Sequence, residues 1–270
     1  MLVSSTSRWV LRGLTALVLA FLYVPLIVIA VLSFSSSKSF TWPPPGYSTK
    51  WWSQAAHADG PREALFTSLR VAALATLIAL VLGSLAAYAV NRFRFFGRDT
   101  VSLLILLPIA LPGIVTGVAL NAAFRQIGLD LGYLTIVLAH ATFCIVVVFN
   151  NVVARLRRLA PNVDEASADL GADLFQTFRF VTFPLIRSAL AAGGLLAFAL
   201  SFDEIVVTTF TSGPADQTLP QWIFNNMFRP NQLPIVNVVA VVVISLSIIP
   251  VYVAQRLSSD PTGGLTPSDA

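Results

Sequence analysis

The sequence predicts an all-α membrane protein: six transmembrane helices, with one polar helical insert between the fourth and the fifth. Three observations predict it. The chain is 56% hydrophobic and only 11% charged over 270 residues, with a mean hydropathy of +0.78, more apolar surface than a water-soluble fold of this length can bury. Its apolar residues gather in six runs, each about the 20 residues that cross a 30 Å hydrocarbon core as a helix. Between the fourth and fifth runs the stretch Pro161 to Pro184, PNVDEASADLGADLFQTFRFVTFP, is polar and charged, and carries helix start and stop signals.

In chain order, Arg8 and Arg12 precede the charge-free run Gly13 to Leu32. A cleaved secretory signal is the competing reading; the run is too long and lacks an A-x-A exit, so an uncleaved first span is expected. Ser33 to Glu63 is polar, with Pro43-Pro44-Pro45-Gly46, and its Trp42, Trp51 and Trp52 suit a membrane interface. Val71 to Val90 is the second span, followed by a short basic turn with Arg92, Arg94 and Arg98. Val101 to Phe124 is the third, opened by Pro108 and Pro112, and Leu131 to Ala154 is the fourth. The fifth, Ser188 to Thr211, is interrupted by Asp203 and Glu204. A second outer loop, 212–234, carries Trp222, and Leu233 to Gln255 is the sixth span. The organisation is then a first helix and outer loop (1–63), a core of five helices with the insert at 155–187 (64–255), and a tail, 256–270, expected to be disordered.

Six spans put both termini on one side. Arg8, Arg12, Arg92, Arg94, Arg98, Arg155, Arg157, Arg158, Arg179, Arg187 and Arg256 fall on that side, eleven in all, against Lys38, Lys50, Arg62, Arg125 and Arg229 on the other. Arg70, at a span edge, is not counted. The excess makes the termini and the insert cytoplasmic. The net charge of +4 therefore reflects topology, and no nucleic-acid partner is expected.

Within the insert, Asn162 and Glu165 are spaced as an N-cap and its reciprocal acidic partner, so a short helix is expected to start there. Gly171 supplies a left-handed residue to end it. Asp173 caps a second short helix through Phe180, and Pro184 opens the next span. An amphipathic segment lying on the membrane is the alternative, allowed by Phe175, Phe178, Phe180 and Phe183; Asp164, Glu165, Asp169 and Asp173 would face an anionic leaflet unfavourably.

Glu165-Ala166-Ser167, then Gly171, then Val181-Thr182-Phe183-Pro184 resembles the EAA loop of bacterial ABC importer permeases, with Ser167, Val181 and Phe183 as mild departures. LLPIALPGIVTGVAL at 106–120 and FDEIVVTTFTSGP at 202–214 are similar to the corresponding stretches of that family, the latter to its spermidine/putrescine branch. The resemblance implies a type I ABC importer permease fold in a bacterial inner membrane. It implies two ATPase subunits that meet the loop at Glu165, Ala166, Ser167, Gly171 and Pro184. It also implies a second, homologous permease and an extracytoplasmic solute-binding protein, with membrane lipid around the spans. ATP and magnesium would belong to the ATPase, and this chain would hold no cofactor.

The residues themselves carry no P-loop, because Lys38 and Lys50 lack the preceding glycines. His57 and His140 lack neighbouring ligands, so no metal site is indicated, and His140 is expected to be a satisfied interhelical donor. No catalytic cluster stands out, and Cys144 alone forms no intramolecular disulfide. Asp203 and Glu204 need an explanation, since a carboxylate near the bilayer centre costs about 2.5–3.5 kcal/mol on insertion scales. Counted back from Ser212 along one helix, Asp203 lies roughly 13 Å below its outer end. The two acids, with Trp222, are candidates for a substrate path that recognises a cation such as a polyamine; pairing with polar groups of a second subunit is equally open. A self-contained ion-coupled transporter or channel using Asp203 and Glu204 is the alternative function.

Overall fold

The computed structural model describes residues 5–160 and 162–258. Among these the regular secondary structure is helical apart from one isolated antiparallel bridge, Ser35 to Tyr47, and loops join the helices. The helices are α1 (Ser5–Leu32), α2 (Lys50–His57), α3 (Asp59–Arg92), α4 (Arg98–Ala110), α5 (Gly113–Gln126), α6 (Tyr133–Leu156), α7 (Val163–Asp169), α8 (Leu174–Thr177), α9 (Phe183–Phe202), α10 (Val206–Thr211), α11 (Leu219–Asn226) and α12 (Leu233–Ser258). A π-helical turn, Phe178–Thr182, joins α8 to α9. Helices α1, α3, α6 and the α8-to-α9 rod are each long and apolar enough to cross a membrane. In α12 the apolar stretch that can be assessed is Leu233–Ile248. The helix runs on past Arg256, and the rest of the expected tail, 259–270, lies outside the described residues.

The third run departs from expectation. It is not one span over Val101 to Phe124 but two helices, α4 and α5, bent by 108° at their junction. Pro112 causes the break: it has no N–H to bond the carbonyl four residues back, and its ring crowds that carbonyl. The residue before it, Leu111, is extended accordingly (φ −84°, ψ 143°), and α5 restarts immediately after the proline.

Residues 63–222 form one compact unit. Helix α6 is its centre, with Ile136, Ala139, His140, Cys144, Val148 and Val152 buried. Against it α3 lays a seam of small residues spaced by four, Ala75, Ala79, Gly83 and Ala87, whose alanines are wholly buried. A Cβ placed on Gly83 would stand 2.9 Å from the Ile145 carbonyl oxygen, so the two backbones are nearly in contact there. Small residues permit this approach where neighbouring lipid gives helices no hydrophobic reason to associate. On α9, Gly193 plays the same part against Val148, whose Cα is 3.3 Å from where its Cβ would be.

The described parts of 1–62 and 223–270 form a second unit, in which α12 packs on α1 and α2. Of the tryptophans expected at an interface, Trp42 is exposed, while Trp51 is buried and donates from Nε1 to the Ser35 carbonyl at 2.7 Å. Trp52 stacks on Phe34 with centroids 5.1 Å apart. Large apolar side chains such as Leu17 and Phe21 of α1 face outward, as lipid-facing residues must.

Candidate functional site

Helix α7 of the insert begins where expected, after Asn162, but the Asn162 side chain makes no cap bond. Its backbone (φ −92°, ψ 2°) is not in the extended region that aims a cap side chain at the first turn, so the reciprocal pairing with Glu165 does not form. The other end of α7 is built as read. Gly171 is left-handed at φ 83°, its N–H donates to Ala168 at 2.9 Å and the Ala172 N–H donates to Ser167 at 3.1 Å. These are the paired bonds of a Schellman ending. A Cβ on Gly171 would meet nothing within 4 Å, so the handedness of the backbone alone asks for glycine.

Asp173 caps α8 as expected: its carboxylate accepts from the Gln176 N–H at 2.8 Å, and the Gln176 side chain accepts from the Asp173 N–H at 3.0 Å. The helix does not end at Phe180, however. It widens into the π turn Phe178–Thr182 and continues as α9, making one rod from Leu174 to Phe202. Pro184 is the reason for the wide turn. A proline inside a helix collides with the carbonyl four residues back, and a π turn just before it makes room. The insert is therefore one free-standing short helix folded against the foot of a long one.

Two contacts fix that arrangement. The Ser167 and Thr177 hydroxyls are bonded at 3.0 Å and buried, and Arg155 Nε donates to the Leu185 carbonyl at 2.9 Å, tying the end of α6 to the start of α9. Glu165, Ala166, Gly171 and Pro184 are exposed. Beside them Leu170, 90% exposed, Leu174 and Phe175 project outward. Such an exposed cluster of large apolar side chains on a polar insert is a surface that a protein partner or a membrane would cover.

The fifth span is also not one helix. Helix α9 closes at Asp203, α10 starts at Val206, and Asp203 to Ile205 is a break. The depth reckoned along a continuous helix does not apply. The Asp203 carboxylate is exposed, while Glu204 turns back and its carboxylate accepts from the Val207 N–H at 2.8 Å, an acid at a helix start where the dipole favours it. Trp222, in α11, is buried.

His140 spans the break. Nδ1 is 2.8 Å from the Ser201 hydroxyl before it and Nε2 is 2.8 Å from the Thr208 hydroxyl after it, which makes His140 the satisfied interhelical group anticipated. Three further residues hold α10 and the loop that follows it in place. Asn121 of α5 donates to the Phe210 carbonyl, Thr135 to the Thr211 carbonyl at 2.7 Å, and the Asp216 carboxylate accepts from the Tyr133 N–H at 3.0 Å. No sequence signal singles these out, because their partners lie 76 to 89 residues away. Among the described residues no group of His, Cys, Asp or Glu is arranged to hold a metal ion.

Residues 79–260 match the family described as binding-protein-dependent transport system inner membrane component. The spermidine/putrescine transport system permease protein PotC of Escherichia coli strain K12 is 35% identical over 255 residues, 94% of this chain and 96% of that protein. The putrescine transport system permease protein PotI of the same strain is 38% identical over 232 residues, 83% of this chain and 82% of PotI. A chain of a bacterial ABC transporter that imports the acidic polysaccharide alginate superposes with a TM-score of 0.72 at 18% identity, covering 97% of this chain and 100% of that one. Another, from an alginate transporter in complex with an alginate pentasaccharide-bound periplasmic protein, gives 0.63 at 16% identity over 93% of each chain. At such identity the superpositions speak for the fold, which is that of the type I ABC importer permeases. This chain belongs to the family of inner membrane components of binding-protein-dependent transport systems.

Proposed function

We propose that this chain is one permease of an ATP-driven importer for a small cationic solute of the polyamine class. The observation that carries the mechanism is the unbroken rod from Leu174 to Phe202. Its foot belongs to the insert, and its far end is the break at Asp203. At 1.5 Å per residue it is about 43 Å long, enough to carry a displacement at Gly171–Thr182 to Asp203 without bending.

In this reading the exposed face of α7, with Glu165 and Ala166, docks on one of two cytoplasmic ATPase subunits, and closure of the ATPases on ATP moves the insert as a lever. The rod then swings against α6 and opens the path outward, a rigid-body change of the hinge kind. ATP and magnesium sit on the ATPases. A second, homologous permease completes the path, six spans put both termini in the cytoplasm, and a solute-binding protein delivers substrate from outside. The polyamine assignment is supported by the names of the relatives, spermidine/putrescine and putrescine permeases, and by Asp203, exposed at the break. Glu204, already engaged with Val207, shapes the break, and Trp222, buried in α11, is the third candidate for the path. Membership of a binding-protein-dependent family stands against a self-contained transporter.

The test is uptake of labelled spermidine and putrescine by cells carrying Asp203→Asn. Loss of apparent affinity at normal membrane abundance supports the reading; unchanged uptake removes Asp203 from the path.

A further inference from the structure

The turn between α3 and α4 reads Arg92-Phe93-Arg94-Phe95-Phe96-Gly97-Arg98, and nothing in the transport reading uses it. Phe93, Phe95 and Phe96 are all exposed, Phe96 completely, and Arg94 is exposed beside them. Three large aromatic side chains turned outward next to guanidinium groups suit the headgroup layer of a membrane, where rings sit among the acyl-chain ends and cations meet lipid phosphate.

The length of the turn places it there. Only Phe93 to Gly97 separate the end of α3 from the start of α4, and Gly97, left-handed at φ 83°, reverses the chain at once. So short a link cannot lift its side chains away from the ends of the helices it joins. The insert at 162–182 is several times longer and has helices of its own. Asp99 follows the turn at the start of α4, so the segment Arg92–Asp99 carries three guanidinium groups against one carboxylate, a net positive patch.

The turn is on the same end of its unit as the insert. Tyr88, in the last turns of α3, makes edge contacts with Phe93 at 6.4 Å and with Phe178 at 5.5 Å. Phe178 in turn meets Phe183 at 6.3 Å. A run of rings thus links the turn to the foot of the rod.

We propose that Phe93–Arg98 is an anchor for anionic lipid, its phenylalanine rings inserted at headgroup depth and Arg94 and Arg98 on lipid phosphates, in the leaflet on the insert's side. Through Tyr88 and Phe178 it fixes the root of the insert to the membrane surface.

A nitroxide attached at Phe96→Cys tests the depth, the native thiol, Cys144, being buried. The permease, with the subunits that co-purify with it, is reconstituted in vesicles of phosphatidylcholine with or without phosphatidylglycerol. The expected result is collision with dissolved oxygen exceeding collision with a water-soluble nickel chelate. Retention of phosphatidylglycerol through purification should fall about fivefold for each of Arg94→Gln and Arg98→Gln. Free access of the nickel chelate, or phosphatidylglycerol retention in both arginine variants equal to that of the parent, would each overturn the anchor. The depth is read without ATP, so a failure of the lever reading leaves this result intact.

Discussion

The Ser167 hydroxyl lies 3.0 Å from the Thr177 hydroxyl, both buried, and this bond closes the short helix α7 onto the foot of the long rod. Both groups are shut away from water, so removing one partner strands the other at about 1–3 kcal/mol, whereas replacing both leaves nothing stranded. Ser167→Ala and Thr177→Val should each raise amide exchange across Val163–Thr177, and the double variant should show less than their sum. Strictly additive effects would mean that the bond does not form.

Gly171 offers a cleaner backbone test, because a side chain there has open space. Gly171→Ala should loosen the insert by about 1–2 kcal/mol through handedness alone, and Gly171→Asn by less, since Asn tolerates the left-handed region. Proteolysis within the insert reads the order. Equal sensitivity of the two variants would contradict it.

His140→Phe removes a side chain bonded on both sides of the Asp203–Ile205 break. Interhelical hydrogen bonds inside membranes contribute about 0.6 kcal/mol on average and at most about 1.7. The variant should therefore lower the thermal midpoint by a few degrees, and adding Ser201→Ala with Thr208→Val should recover part of it. A midpoint equal to that of the parent would show that the clamp contributes nothing.

Gly83→Val should be the most damaging single change in the small-residue seam. Its Cβ would face the Ile145 carbonyl at 2.9 Å, a backbone atom that cannot swing aside, and overpacking of this kind costs about 1–3 kcal/mol or more. Membrane abundance and the thermal midpoint check it, with Ala86→Val, on a partly exposed position, as the control that stays near the parent.

Much of this was legible in the residues because the signals are local. The apolar runs, Gly171 after a short polar helix, and Asp173 as a cap residue could all be read from near neighbours in the chain. The missed helix breaks share one cause, which is that they are decided by backbone geometry as well as hydropathy. The apolar character of Val101–Phe124 hides the 108° bend at Pro112, and Pro184 opens α9 as read but gives no sign that a π turn joins α9 to the helix before it. The break at Asp203 was visible as a charge pair, but not that Glu204 would cap α10 while Asp203 stayed outward. His140 was readable as a satisfied donor; its two partners, 61 and 68 residues away, belong to the fold.

The account turns on the insert meeting a separate ATPase, and a cross-link from Ala166→Cys measures that directly. Ala166 is exposed on α7, and the native thiol, Cys144, is buried. The predicted result is a cross-link from the introduced thiol to a co-purified nucleotide-hydrolysing subunit, with a yield that changes on adding ATP. Labelling of that thiol by a membrane-impermeant maleimide added outside intact cells, with no cross-link to any ATPase, would contradict it.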